Sequence, residues 1–264
     1  MMEITRRDVS YRYGDKFTLK PLFDVHIGSP ACDERAFKSY LEDADDECTY
    51  LIGGGDLLDA VIASDAKRYR KSSDASGGDA ILDEQVDRAH SMLWPYKERI
   101  LGLATGNHED VIVQRCSTDL IQRLCRRLEV PFLGYSGLFK LQFRTSEGGG
   151  RTVVIRYHHG WASGRTPGGQ LTSNVKDVLN WDADVYLYGH GHALHTYSIP
   201  RLGLCGDKLI SKDLCICLCG TFLKTYTQGS TTYSERKGYP PISVGSPRIF
   251  IKPHRRGTII KART

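Results

Sequence analysis

Along the chain, the spacing of apolar and polar positions switches repeatedly between the two-residue period of strands and the 3.6-residue period of helices. Phe17 to Val25 alternates and is rich in bulky apolar side chains, which predicts a strand. Asp33 to Glu47 predicts a helix, with Asp33 as N-cap and Ala36, Phe37, Tyr40, Leu41 and Ala44 on one face. Tyr50 to Ile52 reads as a short buried strand running into Gly53, Gly54 and Gly55. A second helix is expected over Asp79 to Lys97, a strand over Ile100 to Ala104 and a third helix over Thr118 to Leu128. This β-α-β-α-β-α order argues for layered α/β architecture.

The second half differs. Leu138 to Phe143 and Thr152 to Tyr157 flank the turn Gly148 to Gly150 and predict a hairpin. A helix is expected over Gly169 to Asn180. Further strands are expected at Val185 to Tyr188, His195 to Ile199, Leu214 to Gly220 and Arg248 to Ile251. The expected fold is therefore α/β: two mixed sheets packed face to face with helices outside, a four-layer α-β-β-α sandwich. No composition break divides the chain, so a single domain over 1–264 is expected.

Composition narrows the class. With 264 residues, 40% hydrophobic and 25% charged, the chain has ordinary globular make-up and can bury a sizeable core. No apolar run approaches the roughly 20 residues of a membrane span, and Met1 to Lys16 holds no apolar signal core. A cytoplasmic protein with no membrane partner is the expectation. The eight cysteines include no CxxC pair, so neither a disulfide framework nor a zinc ribbon is indicated. Cys215, Cys217 and Cys219 would share one face of a strand, as small buried hydrophobes. A thiolate metal site there would need further ligands, and none stands nearby.

The net charge of +5 is unevenly spread. Lys252, Arg255, Arg256, Lys261 and Arg263 form a basic tail, either a solvated terminus or a hold on a polyanion. Ser64 to Asp79 carries Lys67, Arg68, Arg70 and Lys71 before a Ser/Gly stretch, and reads as an exposed loop or a substrate-facing lid.

Chemistry concentrates after the strands. The strand ends deliver, in order, Asp24-Val25-His26, Gly55-Asp56-Leu57-Leu58-Asp59, Gly106-Asn107-His108-Glu109, His158-His159-Gly160 and Gly189-His190-Gly191-His192. Ligands bind at strand C-termini in α/β sheets. Imidazole, carboxylate and amide oxygen suit divalent metals, and one carboxylate between two cations can bridge them. Each piece alone is weak; the ordered set of five is specific.

Together these motifs resemble the calcineurin-like metallophosphoesterase superfamily, in a compact form similar to its phage and bacterial members. The likeness runs from Asp24 to His192, about two-thirds of the chain. It implies a dinuclear site at the strand ends, holding two divalent ions, with manganese favoured and iron, zinc or nickel also suited. Asp24, His26 and His192 would hold the first ion, Asn107, His159 and His190 the second, and Asp56 would bridge them. His108 would be the catalytic side chain, donating to the phosphate or protonating the leaving oxygen, and Glu109 would orient it from behind. His159, directly before Gly160, is taken as the ligand, with His158 on the opposite strand face. Asp59, the last Asp of the second motif, is implied to be structural or to support a ligand from behind, and is left out of the ligand set.

The implied activity is hydrolysis of a phosphate ester by a metal-bridging hydroxide. A phosphodiester is favoured, in nucleic acid or a nucleotide; a phosphomonoesterase or protein phosphatase is the alternative. The alternative of another class is a non-catalytic, metal-bound scaffold. A DNA-binding protein without catalysis is weaker, since no helix-turn-helix or zinc finger is evident. Among Gly220 to Pro247, Tyr226, Tyr233, Arg236 and Lys237 mix aromatic and cationic groups suited to stacking and phosphate contact, and are the candidate substrate-binding residues.

Overall fold

The computed structural model describes residues 3–43, 46–62, 81–146, 148–161, 164, 166–229, 232–255 and 257–264. The basic Ser64 to Asp79 segment lies outside them. The elements in order are β1 (Glu3–Ser10), β2 (Phe17–Leu22), α1 (Glu34–Glu42), β3 (Thr49–Gly54), α2 (Ile81–Leu93), β4 (Ile100–Ala104), α3 (Asn107–Cys116), α4 (Leu120–Leu128), β5 (Ser136–Arg144), β6 (Gly150–His158), α5 (Pro167–Val178), β7 (Val185–Tyr188), β8 (Leu194–Cys205), β9 (Lys208–Cys219), α6 (Tyr233–Lys237), β10 (Arg248–His254) and β11 (Gly257–Arg263).

They form two mixed sheets. One has six strands in the order β1-β5-β6-β7-β9-β8, the other five in the order β11-β10-β2-β3-β4. In the second, β2, β3 and β4 run parallel, so their C-terminal ends emerge on one side. In the first, β6, β7 and β9 are mutually parallel. Between the sheets lies an apolar layer drawn from both, including Phe17, Leu19, Ile52 and Ile249 from one and Phe139, Val153, Ile155 and Leu187 from the other. Full burial of each such side chain contributes about 2 kcal/mol. Outside the five-stranded sheet, α1, α2 and α4 pack through Phe37, Val86, Ala89, Ile121 and Leu124. Outside the six-stranded sheet, Val178 of α5 packs on Tyr186, Tyr188 and Ile216. The four layers expected from periodicity are present.

Element boundaries shift for local reasons. Asp33 caps α1 by accepting from the Ala36 amide at 3.1 Å, as expected. The helix stops at Glu42 rather than Glu47, because the acidic run Glu42–Glu47 opposes the negative end of the helix dipole. Helix α2 ends at Leu93, and Pro95 turns Trp94–Arg99 into a 3₁₀ helix.

Four elements are absent from the sequence-based expectations: β1, α3, α6 and β11. β1 pairs parallel with β5, and β11 pairs with β10. From Gly257 the basic tail is an edge strand: Lys252, Arg255, Lys261 and Arg263 are exposed to solvent, as a solvated terminus would be, while Ile260 and Ala262 turn toward the inter-sheet core. The three alternating cysteines of β9 are buried thiols in that core, as small hydrophobes.

Candidate metal centre

The seven expected ligands stand at the ends of β2, β3, β4, β6 and β7, and the structure brings them together. Two groups have donor atoms within 4.8 Å of one another: Asp24, His26 and His192, and Asp56, His159 and His190. A third group, His26, Asp56 and His108, joins them. His192 Nε2 lies 3.3 Å from Asp24 Oδ1, and His26 Nε2 lies 4.0 Å from the same oxygen. Asp56 Oδ2 is 3.9 Å from His26 Nε2 and 3.2 Å from His159 Nε2, so it faces both positions. Asn107 Oδ1 is 2.9 Å from His159 Nε2 and 2.6 Å from His190 Nδ1.

The local backbone is unusual. Among the described residues, eight non-glycine positions have positive φ, and five of them are Asp24, His26, Asp56, His190 and His192, at 48° to 64°. At roughly 1 kcal/mol each, such conformations cost about 5 kcal/mol. That is comparable to the net stability of a whole domain. The left-handed turns place successive side chains toward one point, and surrounding bonds must hold them there. Glycine supplies the remaining closeness: a Cβ on Gly106 would fall 2.2 Å from both the amide nitrogen and Oδ1 of Asp56.

Glu109 does much of the holding. It is fully buried, and its Oε2 accepts from the amides of Asp56 (3.0 Å) and Gly106 (2.8 Å) while Oε1 accepts from Leu58 (2.9 Å). It thus clamps the loop after β3 to the start of α3. Burial, then the charge of Asp56, pushes its pKa up to about 7 against those amides. This corrects its expected role: both Glu109 oxygens serve the backbone around Asp56, and the His108 ring faces a different group. His108 Nδ1 lies 2.5 Å from the Asp59 carbonyl. A carbonyl only accepts, so Nδ1 carries the proton and Nε2 faces the cluster, 3.9 Å from Asp56 Oδ2.

Asp59 stands behind the ligands, in the supporting place that the motif implied for it. Its carbonyl faces His108, and its carboxylate Oδ1 lies 3.4 Å from His26 Nδ1. A carboxylate behind a ligating imidazole is the usual support of such a ring. The available signal was the second Asp of Gly55-Asp56-Leu57-Leu58-Asp59, three residues after Asp56.

His158 and His159 diverge as strand alternation requires. His159 is buried in the cluster, whereas His158 Nδ1 accepts from the Gly160 amide at 2.8 Å and its ring packs on Trp161. Burial, then the nearby Arg156 charge, holds the His158 pKa down to about 4. His159 is opposite: burial lowers its pKa, but the Asp56 carboxylate outweighs this and raises it to about 9. For Asp56, burial pushes up while His159 and His108 hold it well below the usual carboxylate range.

Three observations show that the residues fit bound cations. Asp24 Oδ1 and His26 Nε2 are buried without a hydrogen-bond partner, a costly state unless something else neutralises them. The end of the Asn107 carboxamide lies against Asp56, His159 and His190, so its oxygen is within reach of a cation held by those two imidazoles. The donors are all nitrogen and oxygen, which suits manganese, iron, zinc or nickel.

Of the candidate substrate residues, Tyr226, Arg236 and Lys237 lie on the surface. Tyr226 is exposed and donates its hydroxyl to the Tyr239 carbonyl, and Arg236 and Lys237 are exposed on α6, which Tyr233 opens. The structure does not draw them into the packed cluster of ligand side chains.

Fold and cluster together define the class: a layered α/β sandwich of two mixed sheets with a largely buried His/Asp cluster able to hold metal. No family model matches the chain, and no curated protein matches it. Among solved structures, the chain is similar to Vps29 complexed with Zn²⁺ from Entamoeba histolytica, at 10% identity and TM-score 0.42, covering 94% of this chain and 98% of that one. It is similar to vacuolar protein sorting 29 from Cryptosporidium parvum, at 14% identity and TM-score 0.36, covering 94% and 97%. A conserved protein of Streptococcus pneumoniae TIGR4, described as a predicted phosphoesterase, gives 12% identity and TM-score 0.30, covering 94% and 99%. Likenesses at these scores support no functional inference.

Proposed function

We infer that the protein is a dinuclear metal-dependent phosphoesterase, with a phosphodiester as the favoured substrate. The observation that carries this reading is Asp56, shared between two donor groups, with His108 beside it. When bound, two divalent ions supply Lewis acidity toward a phosphoryl oxygen and toward water. The chain's own residues do the rest. Asp56 keeps the two positions adjacent. The Asp59 carbonyl fixes the proton of His108 on Nδ1, so Nε2 is the working atom. In its imidazolium form, Nε2 donates to a phosphoryl oxygen or gives its proton to the leaving oxygen. With a 13% exposed side chain, His108 is reachable from solvent at the cluster edge.

The diester preference draws on the +5 net charge and on Tyr226, Tyr233, Arg236 and Lys237, which suit a nucleotide or nucleic acid. The test is turnover of an aryl phosphodiester beside its monoester, with protein stripped and reloaded with Mn²⁺. Metal-dependent cleavage mainly of the diester is expected. Preference for the monoester would transfer the assignment to a phosphomonoesterase. Tight ion binding without turnover on either ester would overturn catalysis in favour of a metal-bound scaffold.

A further inference from the structure

The chain after β9 returns to the first ligand in a way no motif announces. Thr221 is fully buried, and its Oγ1 donates to the Asp24 carbonyl at 2.7 Å. The same carbonyl accepts from the Phe222 amide at 3.1 Å. Two donors therefore reach one carbonyl oxygen, enough to fix the plane of the Asp24–Val25 peptide. On the other side, the Asp24 amide donates to the Gly55 carbonyl at 3.1 Å. Asp24 is held in the left-handed region at φ 48°, on both flanks, by groups far away in sequence.

Thr221 is itself anchored. Its Oγ1 accepts from the Leu223 amide at 3.1 Å, and its carbonyl accepts from the Gly245 amide at 2.8 Å. The Phe222 carbonyl accepts from Asp33, the N-cap of α1, at 2.7 Å. The Phe222 ring packs on Phe37 and Tyr40 of α1. The strap is thus tied to the helix layer of the opposite sheet.

The consequence falls on one side-chain atom. The His190 amide donates to Asp24 Oδ2 at 2.9 Å, while Oδ1 is left without a partner and faces His192. Rotation of the Asp24 backbone would swing Oδ1 away from His26 and His192. Among the second group, His190 meets the Asp24 turn through its backbone amide, and the side-chain hydrogen bonds of Asn107 and His159 go to other residues.

We propose that Thr221 is a positioning residue for the first ion: its hydroxyl clamps the Asp24 carbonyl, holds the left-handed turn and sets the affinity of the Asp24/His26/His192 position separately from the second. This rests on the cluster binding two ions, as the proposed function requires.

The experiment is Mn²⁺ titration by calorimetry and electron paramagnetic resonance, on wild type, Thr221→Val and Thr221→Ser, with circular dichroism to verify folding. Wild type should bind two ions. Thr221→Val, which keeps the shape and loses the hydroxyl, should weaken one ion by about 10- to 100-fold, the range for groups supporting a ligand, and leave the other unchanged. Thr221→Ser should restore the wild-type pattern, which a merely space-filling role would not require. Should Thr221→Val not fold, Thr221→Cys replaces it, with the same expectation. Wild-type affinities for both ions in a folded Val or Cys variant would overturn the clamp. A wild type that binds no second ion would overturn the dinuclear reading instead.

Discussion

The two ion positions are built by opposite means. All three ligands of the first, Asp24, His26 and His192, have positive φ; in the second only His190 does. Asn107 instead opens helix α3, and His159 directly follows β6. The donor spacing differs in the same sense. In the first position His192 and His26 stand 3.3 and 4.0 Å from Asp24 Oδ1. In the second, Asn107 Oδ1 is only 2.6 and 2.9 Å from its two imidazole partners. Ligands at about 2.1 Å from a common ion lie roughly 3 Å or more apart. The first position is thus open at ion-accepting spacing and depends on strained loops. The second is contracted onto regular elements and must widen slightly. Strained loops fix direction but lean on outside bonds, whereas helix and strand termini are stable unaided.

Asp56 is the one proposed ligand common to both, so its loss should erase the difference. Asp56→Asn is expected to abolish both ions and lower turnover by at least about three orders of magnitude, equivalent to several kcal/mol of lost metal stabilisation. Equilibrium dialysis and steady-state rates check this; retention of two ions would remove Asp56 as the bridge. Next in size is a matched pair, His159→Ala and His192→Ala. His159 is fully buried in the packed second position, while the His192 side chain is 27% exposed. His159→Ala should destabilise the metal-free protein by about 2 kcal/mol, as cavities and broken buried networks do. His192→Ala should leave metal-free stability nearly unchanged and weaken only the first ion. Equal thermal shifts for the two would break the comparison.

His108 tests where the chemistry sits relative to the two positions. His108→Ala should lower kcat by about 10²- to 10⁴-fold, the usual worth of a positioned acid, with both ions retained. Its Nε2 also belongs to a donor group with His26 and Asp56. Loss of the first ion in His108→Ala would therefore make His108 a ligand rather than an acid.

What was legible in the sequence follows from what periodicity can carry. The central strands read correctly because β3, β4 and β7 are buried along nearly their whole length between helix layer and partner sheet. Helix α3 was illegible because only Glu109 and Ile112 of its ten residues are buried, so it shows no apolar stripe. The edge strands β1, with Arg6, Arg7 and Asp8 in succession, and β11, with Lys261 and Arg263, are rich in charge and resemble solvated termini until a neighbour pairs with them. The ligands were found by motif, since strand ends place them at readable intervals. Glu109 and Asp59 were legible as supports from the same motifs, but the groups they hold, and Thr221 altogether, were not, because these contacts run to partners 53, 49 and 197 positions away and no spacing encodes that.

The smallest expected effect separates two neighbours. His158 and His159 are adjacent and identical in type, yet strand alternation sends them to different surroundings. His158 accepts from the Gly160 amide, is held neutral and packs on Tyr135 and Trp161. Asn keeps an acceptor near that amide and removes the ring. His158→Asn should therefore retain both ions, cost about 1 kcal/mol through lost packing, and change turnover by less than about threefold. The relevant contrast is with His159→Asn, which should weaken the second ion even though Asn can ligate, because its shorter side chain does not reach the point that Asn107 and His190 share. If instead His158→Asn releases an ion while His159→Asn keeps it, the strand register at the end of β6 is shifted by one residue, and the assignment of the second position must move with it.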